Sequence, residues 1–366
     1  MKTVVVILLG LTAGMAHAAS FDCAKATKAQ EKAICASPVL SAADDKMAAA
    51  YQDMLRAATF EMKPWVLDEQ REWIRGMEGA CKAGDAGKSL DACLLVYEEK
   101  RTKALRHMVL HAGGATFIWH SIKRTAPDDA ETLELERGSG VDHGTLNASW
   151  PQAANASWPQ AANASRPQAA EEGAEWLAWN KAIEGAALAM ADPNAKQPPA
   201  KWADISPAGI DIDLNASVGQ VGPELVTAAI GIEWYGHGAA HPNHNSIQFN
   251  WMLKEKRELK PSDVFQSESG WSAFLQARCD AYLHKKLDAD GASYQSFMQP
   301  GEMVKTVREI VENPENWQLD AQGITIPFQP YAVACYACTP DPMTVPWADL
   351  KPMMKSGFPV PTSVGQ

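Results

Sequence analysis

The sequence predicts an α + α+β chain, in which a small, disulfide-stapled helical domain precedes a larger α+β domain with a mainly antiparallel sheet. Apolar residues recur at every third or fourth position between residues 19 and 112, which is typical of helices. Beyond residue 113, apolar and polar residues alternate in groups separated by helical segments. The 366 residues are enough for two domains of ordinary size.

The first residues have the parts of an export signal. A lysine precedes the apolar run Val4–Met15, and Ala16-His-Ala18 supplies the small residues that a signal peptidase needs. The run is too short for a permanent membrane span, and no later run approaches the length of one. We expect residues 1–18 to be a signal peptide that is cut before Ala19. The mature chain is then a soluble periplasmic protein without a membrane anchor.

Helical spacing defines four segments in the first domain. The first runs from Lys28 to Cys35, and the second follows Ser41, which has the character of an N-cap. The third contains the apolar face of residues 65–77, and the fourth contains that of residues 90–108.

Seven cysteines in an exported chain predict disulfides first. They are Cys23, Cys35, Cys81, Cys93, Cys279, Cys335 and Cys338. Cys81 closes one helix and Cys93 opens the next, so a bridge between them would staple a helical hairpin. Cys23 and Cys35 could likewise pin the first turn to its own helix. We expect Cys279 to pair with one of the two late cysteines, whose C-x-x-C spacing also leaves a redox or metal site open.

The second domain begins after Gly113-Gly114. We predict strands at 116–122, over 205–251 and within 316–343, and helices at 175–190 and 270–287. Residues 113–146 form the start of this domain, residues 171–352 complete it, and residues 353–366 are a tail.

An eight-residue repeat occupies residues 147–170. Its first two copies read Asn-Ala-Ser-Trp-Pro-Gln-Ala-Ala, and Arg166 replaces the tryptophan in the third. A proline in each copy prevents a continuous helix, and eight residues are too few for a self-standing repeat. We predict an extended or disordered insertion that acts as a linker.

The net charge and the motifs of the sequence exclude several classes of function. The net charge of -11 and the pI near 5.3 argue against binding to nucleic acid, because phosphates attract basic clusters. An acidic surface suits a basic partner, although it could also serve only for solubility. Hydrolase and phosphate-binding motifs are not present in the sequence, so we predict neither an enzyme nor a cofactor.

Two residue groups leave alternatives open. The segment with His237, His241 and His244 could bind zinc, but Gly238 and Pro242 favour a constrained turn between two strands. The tryptophans could stack on sugars, but their spacing favours a core.

Many residues of the first domain follow one signature. They are Phe21-Asp-Cys23, Glu31-Lys-Ala-Ile-Cys35, Leu40, Asp44, Tyr51, Gln70, Trp73, Cys81, Cys93, Tyr97, Arg101 and Leu105. With these residues, the chain from 21 to about 111 resembles the amino-terminal domain of the LprI lysozyme-inhibitor family. The resemblance gives Glu31, Gln70, Trp73 and Tyr97 as family positions and implies a lysozyme as partner.

A second signature runs through the larger domain. It consists of Trp179-Asn-Lys-Ala-Ile183, Tyr235-Gly-His-Gly-Ala-Ala-His241-Pro-Asn243, Phe249-Asn250, Leu259-Lys-Pro-Ser-Asp-Val-Phe265, Ile326-Pro-Phe-Gln-Pro-Tyr331-Ala-Val-Ala334 and Val345-Pro-Trp347. Residues 113–352 thereby resemble the extracellular domain shared by PdaC-type deacetylases and RsiV. The resemblance implies a non-catalytic module, with His241, Asn243 and Tyr331 at family positions, and the RsiV version binds lysozyme. The repeat and Cys335/Cys338 depart from that pattern.

The favoured hypothesis is a periplasmic protein that binds a basic lysozyme and inhibits or senses it through a rigid acidic surface. A module that binds peptidoglycan or another glycan is the alternative, and a metal-dependent enzyme is a third. The sequence does not indicate which residues bind.

Overall fold

A computed structural model describes residues 19–82, 89–135, 141–154, 173–193, 196–289 and 300–362. The chain divides into two compact units, Met1–Val109 and Leu110–Gln366. The predicted signal peptide and the second and third copies of the repeat lie outside the described residues. Among those residues, no helix combines the length and the apolar composition that a membrane span requires.

The first unit is helical, as the sequence predicts. After a 3-10 turn at Cys23–Lys25, its helices are α1 (Ala29–Ala36), α2 (Pro38–Ala57), α3 (Lys63–Ala80) and α4 (Leu90–His107). The N-cap of α2 is Ser37, whose side chain accepts from the Leu40 N–H at 3.4 Å. The expectation that Ser41 caps this helix is wrong, because Ser41 is buried inside α2 and donates to the Ile34 carbonyl at 2.8 Å.

Two disulfides cross-link this unit. Cys23–Cys35 joins the first turn to the end of α1, and Cys81–Cys93 joins the end of α3 to α4. Between them lies a small core of fully or nearly buried side chains that includes Ile34, Leu40, Met77, Cys81 and Leu94. The disulfide-stapled helical domain is therefore confirmed.

The second unit is built on a seven-stranded sheet with the strand order β1 to β7. The strands are β1 (Val109–Ala112), β2 (Ala115–Pro127), β3 (His143–Ala154), β4 (Ile210–Val221), β5 (Leu225–Gly236), β6 (Asn243–Met252) and β7 (Arg257–Glu258). β3 and β4 run parallel, and β2–β3, β4–β5, β5–β6 and β6–β7 are antiparallel. This confirms the mainly antiparallel α+β prediction. Because β1 belongs to the sheet, the helical domain ends a few residues before residue 112.

The first copy of the repeat is not a linker. Residues 147–154 lie in β3, paired on one side with β2 and on the other with β4. Trp150 is fully buried and stacks on Trp202 with a centroid distance of 4.7 Å. The linker prediction is therefore wrong for this copy, because its alternation of side chains fits a half-buried strand.

One face of the sheet is covered by helix. After the short α5 (Ala130–Leu135), helix α6 (Ala174–Met190) buries Trp176, Trp179 and Ile183 in the same core as sheet residues such as Phe117 and Phe249. Trp179 makes edge contacts with both phenylalanine rings, at 5.3 and 6.5 Å. The tryptophans of α6 thus serve the core.

A second core lies in the carboxy-terminal part of this unit. It is formed by α7 (Pro261–Val264), α8 (Trp271–Ala289), α9 (Pro300–Glu312), α10 (Trp347–Leu350) and the three-stranded sheet of β8 (Gln318–Leu319), β9 (Gly323–Ile326) and β10 (Met343–Pro346). Met353 belongs to this core, and Met354 and Phe358 pack against it. The boundary of the predicted tail at residue 353 is therefore too early.

The late cysteines pair differently from the prediction. Cys335 and Cys338 bond to each other around a 3-10 turn, and Cys279 remains a buried free thiol. Cys279 lies on α8 four residues from both Leu275 and Leu283, so its side chain faces the core. Burial raises the pKa of the Cys279 thiol to about 12, so it behaves as a small apolar side chain.

Candidate functional site

A cavity of about 400 Å³ opens in the first unit. It is lined by residues of the family signature, among them Glu31, Asp44, Tyr51, Gln70 and Trp73. The structure thus brings together three of the four family positions predicted for this domain. Tyr97, the fourth, is half-buried and packs against the core instead.

Arg101 holds two residues that line this cavity, Gln70 and Trp73. Its guanidinium forms two parallel bonds with the Glu69 carboxylate, at 2.7 and 2.6 Å, and donates twice to Gln70 Oε1, at 3.0 and 2.7 Å. The Arg101 Cζ atom also lies 5.6 Å from the centroid of the Trp73 ring. Because Arg101 is only 5% exposed, this network is a buried charge with its partners in place.

Glu31 acts locally at the cavity rim. Its Oε2 atom accepts from the backbone N–H groups of Thr27 and Lys28, at 2.7 and 3.0 Å. The bond from Lys28 and then that from Thr27 lower the pKa of Glu31. These contacts cap α1, so the family position is explained by helix formation.

Two buried carboxyl groups, Asp44 and Glu98, line the cavity. Asp44 is 4% exposed and accepts from the Ser20 N–H at 2.7 Å, and Glu98 is 1% exposed. Within the described residues, Glu98 Oε2 has no hydrogen-bond partner. Burial, and then the charge of Asp44, raise the pKa of Glu98 to about 7, and burial also raises the pKa of Asp44.

Sequence reasoning missed Glu98, although a signal was present. Leu94, Glu98, Arg101 and Leu105 fall at helical spacing on one face of α4. A carboxylate on an otherwise buried face needs a partner or an altered pKa.

In the second unit, the β5–β6 turn meets the loop that carries Tyr331 and Tyr336. The ring of Tyr336 lies 4.4 Å from that of His241, 5.7 Å from His244 and 5.8 Å from Tyr331. We call these four side chains the aromatic patch. It unites the family positions His241 and Tyr331, whereas the Asn243 side chain makes a local bond to the His244 N–H at 2.9 Å.

The aromatic patch is held in place from both sides. Gln329 exchanges bonds with the backbone of Ser246, at 3.1 and 2.8 Å, and the Cys335–Cys338 disulfide encloses Tyr336. Tyr331 has a φ of 64° and is 48% exposed. A bulky residue in this left-handed conformation is strained, and such strain concentrates at functional sites.

His237 is separate from the other two histidines of the turn. Its ring is buried, with Nδ1 at 2.6 Å from Asp128 and Nε2 at 3.3 Å from Asp211. Burial alone would lower the pKa of His237, but the hydrogen bond with Asp128 and the nearby carboxylate of Asp211 outweigh burial and raise the pKa. In the described part of the chain, no three His, Cys, Asp or Glu side chains are arranged to hold a metal ion.

Two glycines allow the buried pair of His237 and Asp128 to form. Gly209, at a φ of 74°, donates its N–H to Asp128 at 2.8 Å. A Cβ atom on Gly144 would lie 1.8 Å from the Pro207 carbonyl oxygen. The backbone therefore approaches Asp128 more closely than other residues would permit.

The sheet also carries a row of polar side chains that ends at the aromatic patch. Asn147, Asp213, Glu233 and His244 occupy directly opposed positions on β3, β4, β5 and β6. Asp213 and Glu233 are exposed like charges on paired strands, an arrangement that costs stability. This row places two exposed carboxyl groups next to each other on the sheet.

The charge of the chain is unevenly distributed. Residues 19–109 contain 14 acidic and 14 basic side chains, whereas residues 110–366 contain 30 acidic and 18 basic ones. The net negative charge thus belongs to the second unit.

Comparison with known proteins agrees with the division of the chain into two units. Residues 23–105 match the family model of the lysozyme inhibitor LprI, and residues 262–348 match that of DUF3298, a protein family of unknown function. No curated protein matches the chain.

Two solved structures of DUF3298 family proteins are also similar to the chain. One, from Bacteroides fragilis NCTC 9343, is 18% identical with a TM-score of 0.39, over 68% of this chain and 96% of that one. The other, from Pseudomonas aeruginosa PAO1, is 16% identical with a TM-score of 0.40, over 65% of this chain and 94% of that one. The chain is therefore similar to the lysozyme inhibitor LprI in its first unit and to DUF3298 family proteins in its second.

Proposed function

We propose that this protein is exported to the periplasm, loses residues 1–18 and there binds and inhibits a lysozyme through its first unit. The match of residues 23–105 to a lysozyme-inhibitor family carries the proposal. Inhibition of this kind needs no bond-making. It needs a surface that keeps its shape and covers the substrate cleft of the enzyme.

The build of the first unit supports such a role. The two disulfides and the buried Arg101 network fix the helices before any partner arrives. A preorganised surface loses less conformational freedom on binding, so more of the contact energy appears as affinity.

The acidic second unit contributes to the encounter. A basic enzyme is attracted by its excess of 12 negative charges, which raises the association rate more than the final affinity. Added salt should therefore slow association and leave the dissociation rate nearly unchanged.

A lysis assay tests the proposal. Purified chain beginning at Ala19 is titrated into a basic c-type lysozyme, and the fall in turbidity of a cell-wall suspension is followed. We expect lysis to stop near an equimolar ratio and a complex to elute from a sizing column. Undiminished lysis without a complex would contradict the proposal.

Matched disulfide variants locate the effect. Cys81→Ala/Cys93→Ala should weaken inhibition, because it loosens the first unit. Cys335→Ala/Cys338→Ala removes a disulfide of the second unit and should inhibit as well as the parent chain. The reverse pattern would assign inhibition to the second unit.

A glycan-binding role is the second candidate, and the aromatic patch favours it. Half-exposed rings offer stacking faces for sugars, and the adjoining Asp213, Glu233 and His244 offer hydrogen-bonding groups. His244 belongs both to this row and to the aromatic patch, which supports the candidate.

Sedimentation with insoluble peptidoglycan tests this candidate. Tyr331→Ala/Tyr336→Ala should move the protein from the pellet to the supernatant. Phe60→Ala, which removes an aromatic ring that is 85% exposed in the first unit, should not. If the parent chain stays in the supernatant, the glycan-binding role is wrong.

A further inference from the structure

We infer that Asp44 and Glu98 form a binding site for an ammonium group, and that the α-ammonium of Ala19 fills it once the chain is cut before that residue. This inference rests on the export part of the proposed function and is independent of lysozyme binding.

The chain next to the predicted cut is already seated at this site. Ala19 is 6% exposed and belongs to the core of the first unit, together with Ile34 and Leu94. The N–H of the following residue, Ser20, donates to Asp44 Oδ2 at 2.7 Å. Since one residue spans about 3.8 Å, the Ala19 nitrogen lies within roughly 6.5 Å of that oxygen.

The two carboxyl groups need a positive partner. Burial raises the pKa of both carboxyl groups; hydrogen bonds from Ser20 lower the pKa of Asp44, and like charge raises the two pKa values further, from Asp45 on Asp44 and from Asp44 on Glu98. Glu98 Oε2 is buried without a hydrogen-bond partner among the described residues. A buried carboxylate pair without a cation is unstable in its charged form, and a nearby positive charge would reverse this.

Cleavage supplies that charge. Hydrolysis of the Ala18–Ala19 peptide bond leaves a carboxylate on Ala18 and an amine on Ala19. The amine takes up a proton at neutral pH, because the ordinary pKa of an α-amino group is about 7.7–8.0. An ammonium has three N–H donors, enough for Asp44, for Glu98 Oε2 and for one further acceptor. The uncut chain has a neutral amide there, so only the processed protein has the complete ion pair.

The reactivity of the terminal amine tests the site directly. The full chain is exported with its own signal, its intact mass is measured, and its α-amine is acetylated with a trace of acetic anhydride, with and without urea. We expect a chain that begins at Ala19, with an amine that reacts at least ten-fold more slowly when folded. Another first residue, or equal rates, would overturn the inference.

Substitutions on α2 distinguish an amine held by Asp44 from an amine that reacts slowly only because it is buried. Asp44→Asn should restore most of the unfolded reaction rate, whereas the matched Asp45→Asn should keep the slow rate. An unchanged slow rate in folded Asp44→Asn would show that the carboxylate does not hold the amine.

A second measurement applies if Asp44→Asn does not fold. A chain with one extra glycine before Ala19 should melt about 5 °C lower than the processed chain. Added n-butylammonium should raise the melting temperature of the extended chain only. Equal melting temperatures, or a rise in the processed chain, would overturn the assignment of the terminus.

Discussion

The two units of this protein reach stability by different means. The first has a thin core and is held by two disulfides and a buried arginine network. The second has two larger cores, one on the seven-stranded sheet and one around the three-stranded sheet, and its one described disulfide closes only a short loop. A small domain buries less of its surface, so it depends more on cross-links.

The units differ in charge as well. The first is electroneutral and buries three of its charged side chains, Asp44, Glu98 and Arg101, of which the two carboxyl groups line a cavity. The second is acidic and displays Asp213 and Glu233 on an open face. Because the units differ in these ways, a change made in one unit can be compared with the unchanged other unit.

Removing the arginine should have the largest effect. Arg101→Ala leaves Glu69 and Gln70 without their partner and should destabilise the first unit by about 3–5 kcal/mol. Arg106→Ala, on the exposed last turn of α4, should change stability by less than about 0.5 kcal/mol. Urea unfolding followed by hydrogen exchange in peptides of each unit measures both. A comparable loss in the second unit would show that the two are not independent.

Removing disulfides should cause the next largest loss of stability. Cys81→Ala/Cys93→Ala opens a loop with a sequence separation of 12 and should cost the first unit about 3 kcal/mol. Cys335→Ala/Cys338→Ala opens one with a separation of 3 and should cost the second unit about 2 kcal/mol at most. The same unfolding measurement distinguishes them, and an equal or reversed order would break the comparison.

The first unit should lose stability as the pH rises through the range of Glu98. In a chain with an extra N-terminal residue, the folded pKa near 7 lies above the ordinary 4.5, so the folded state holds the extra proton. Stability should fall between about pH 4.5 and 7, by at most roughly 3 kcal/mol, and then level off. Thermal unfolding at several pH values measures this, and Glu98→Gln should remove the slope. A slope that survives the substitution belongs to another group.

The second unit should respond at higher pH. Because the pKa of His237 is raised above its ordinary 6.5, its contribution is complete below that value and is lost as the pH rises through the raised one. One proton limits the slope to about 1.4 kcal/mol per pH unit. His237→Gln should abolish it, and His143→Gln, at an exposed histidine, should not. Unfolding of the second unit between pH 6 and 9 is the measurement.

Periodicity predicted most helices and strands, but burial decided several details that it could not predict. Ser41 and Ser37 are both good caps, and Pro38 at the first turn selects Ser37. Cys279 has the same chemistry as Cys335 and Cys338, and only its place on the buried face of α8 keeps it free.

The repeat shows the same limit most clearly. Residues 147–154 and 155–162 have identical sequences, so the sequence pattern gives the same linker prediction for both copies. The first copy is a strand because β2 and β4 flank it. Of the sites, the family positions were predictable from resemblance. The Asp44–Glu98 pair and the burial of His237 depend on contacts between distant segments.

Hydrogen exchange of the full chain with and without an excess of lysozyme tests most directly the proposal that the first unit binds and inhibits a lysozyme. We predict slower exchange in peptides from residues 19–109 when the enzyme is bound, and little change on the sheet of the second unit. Inhibition accompanied by protection only within residues 110–362 would contradict the assignment.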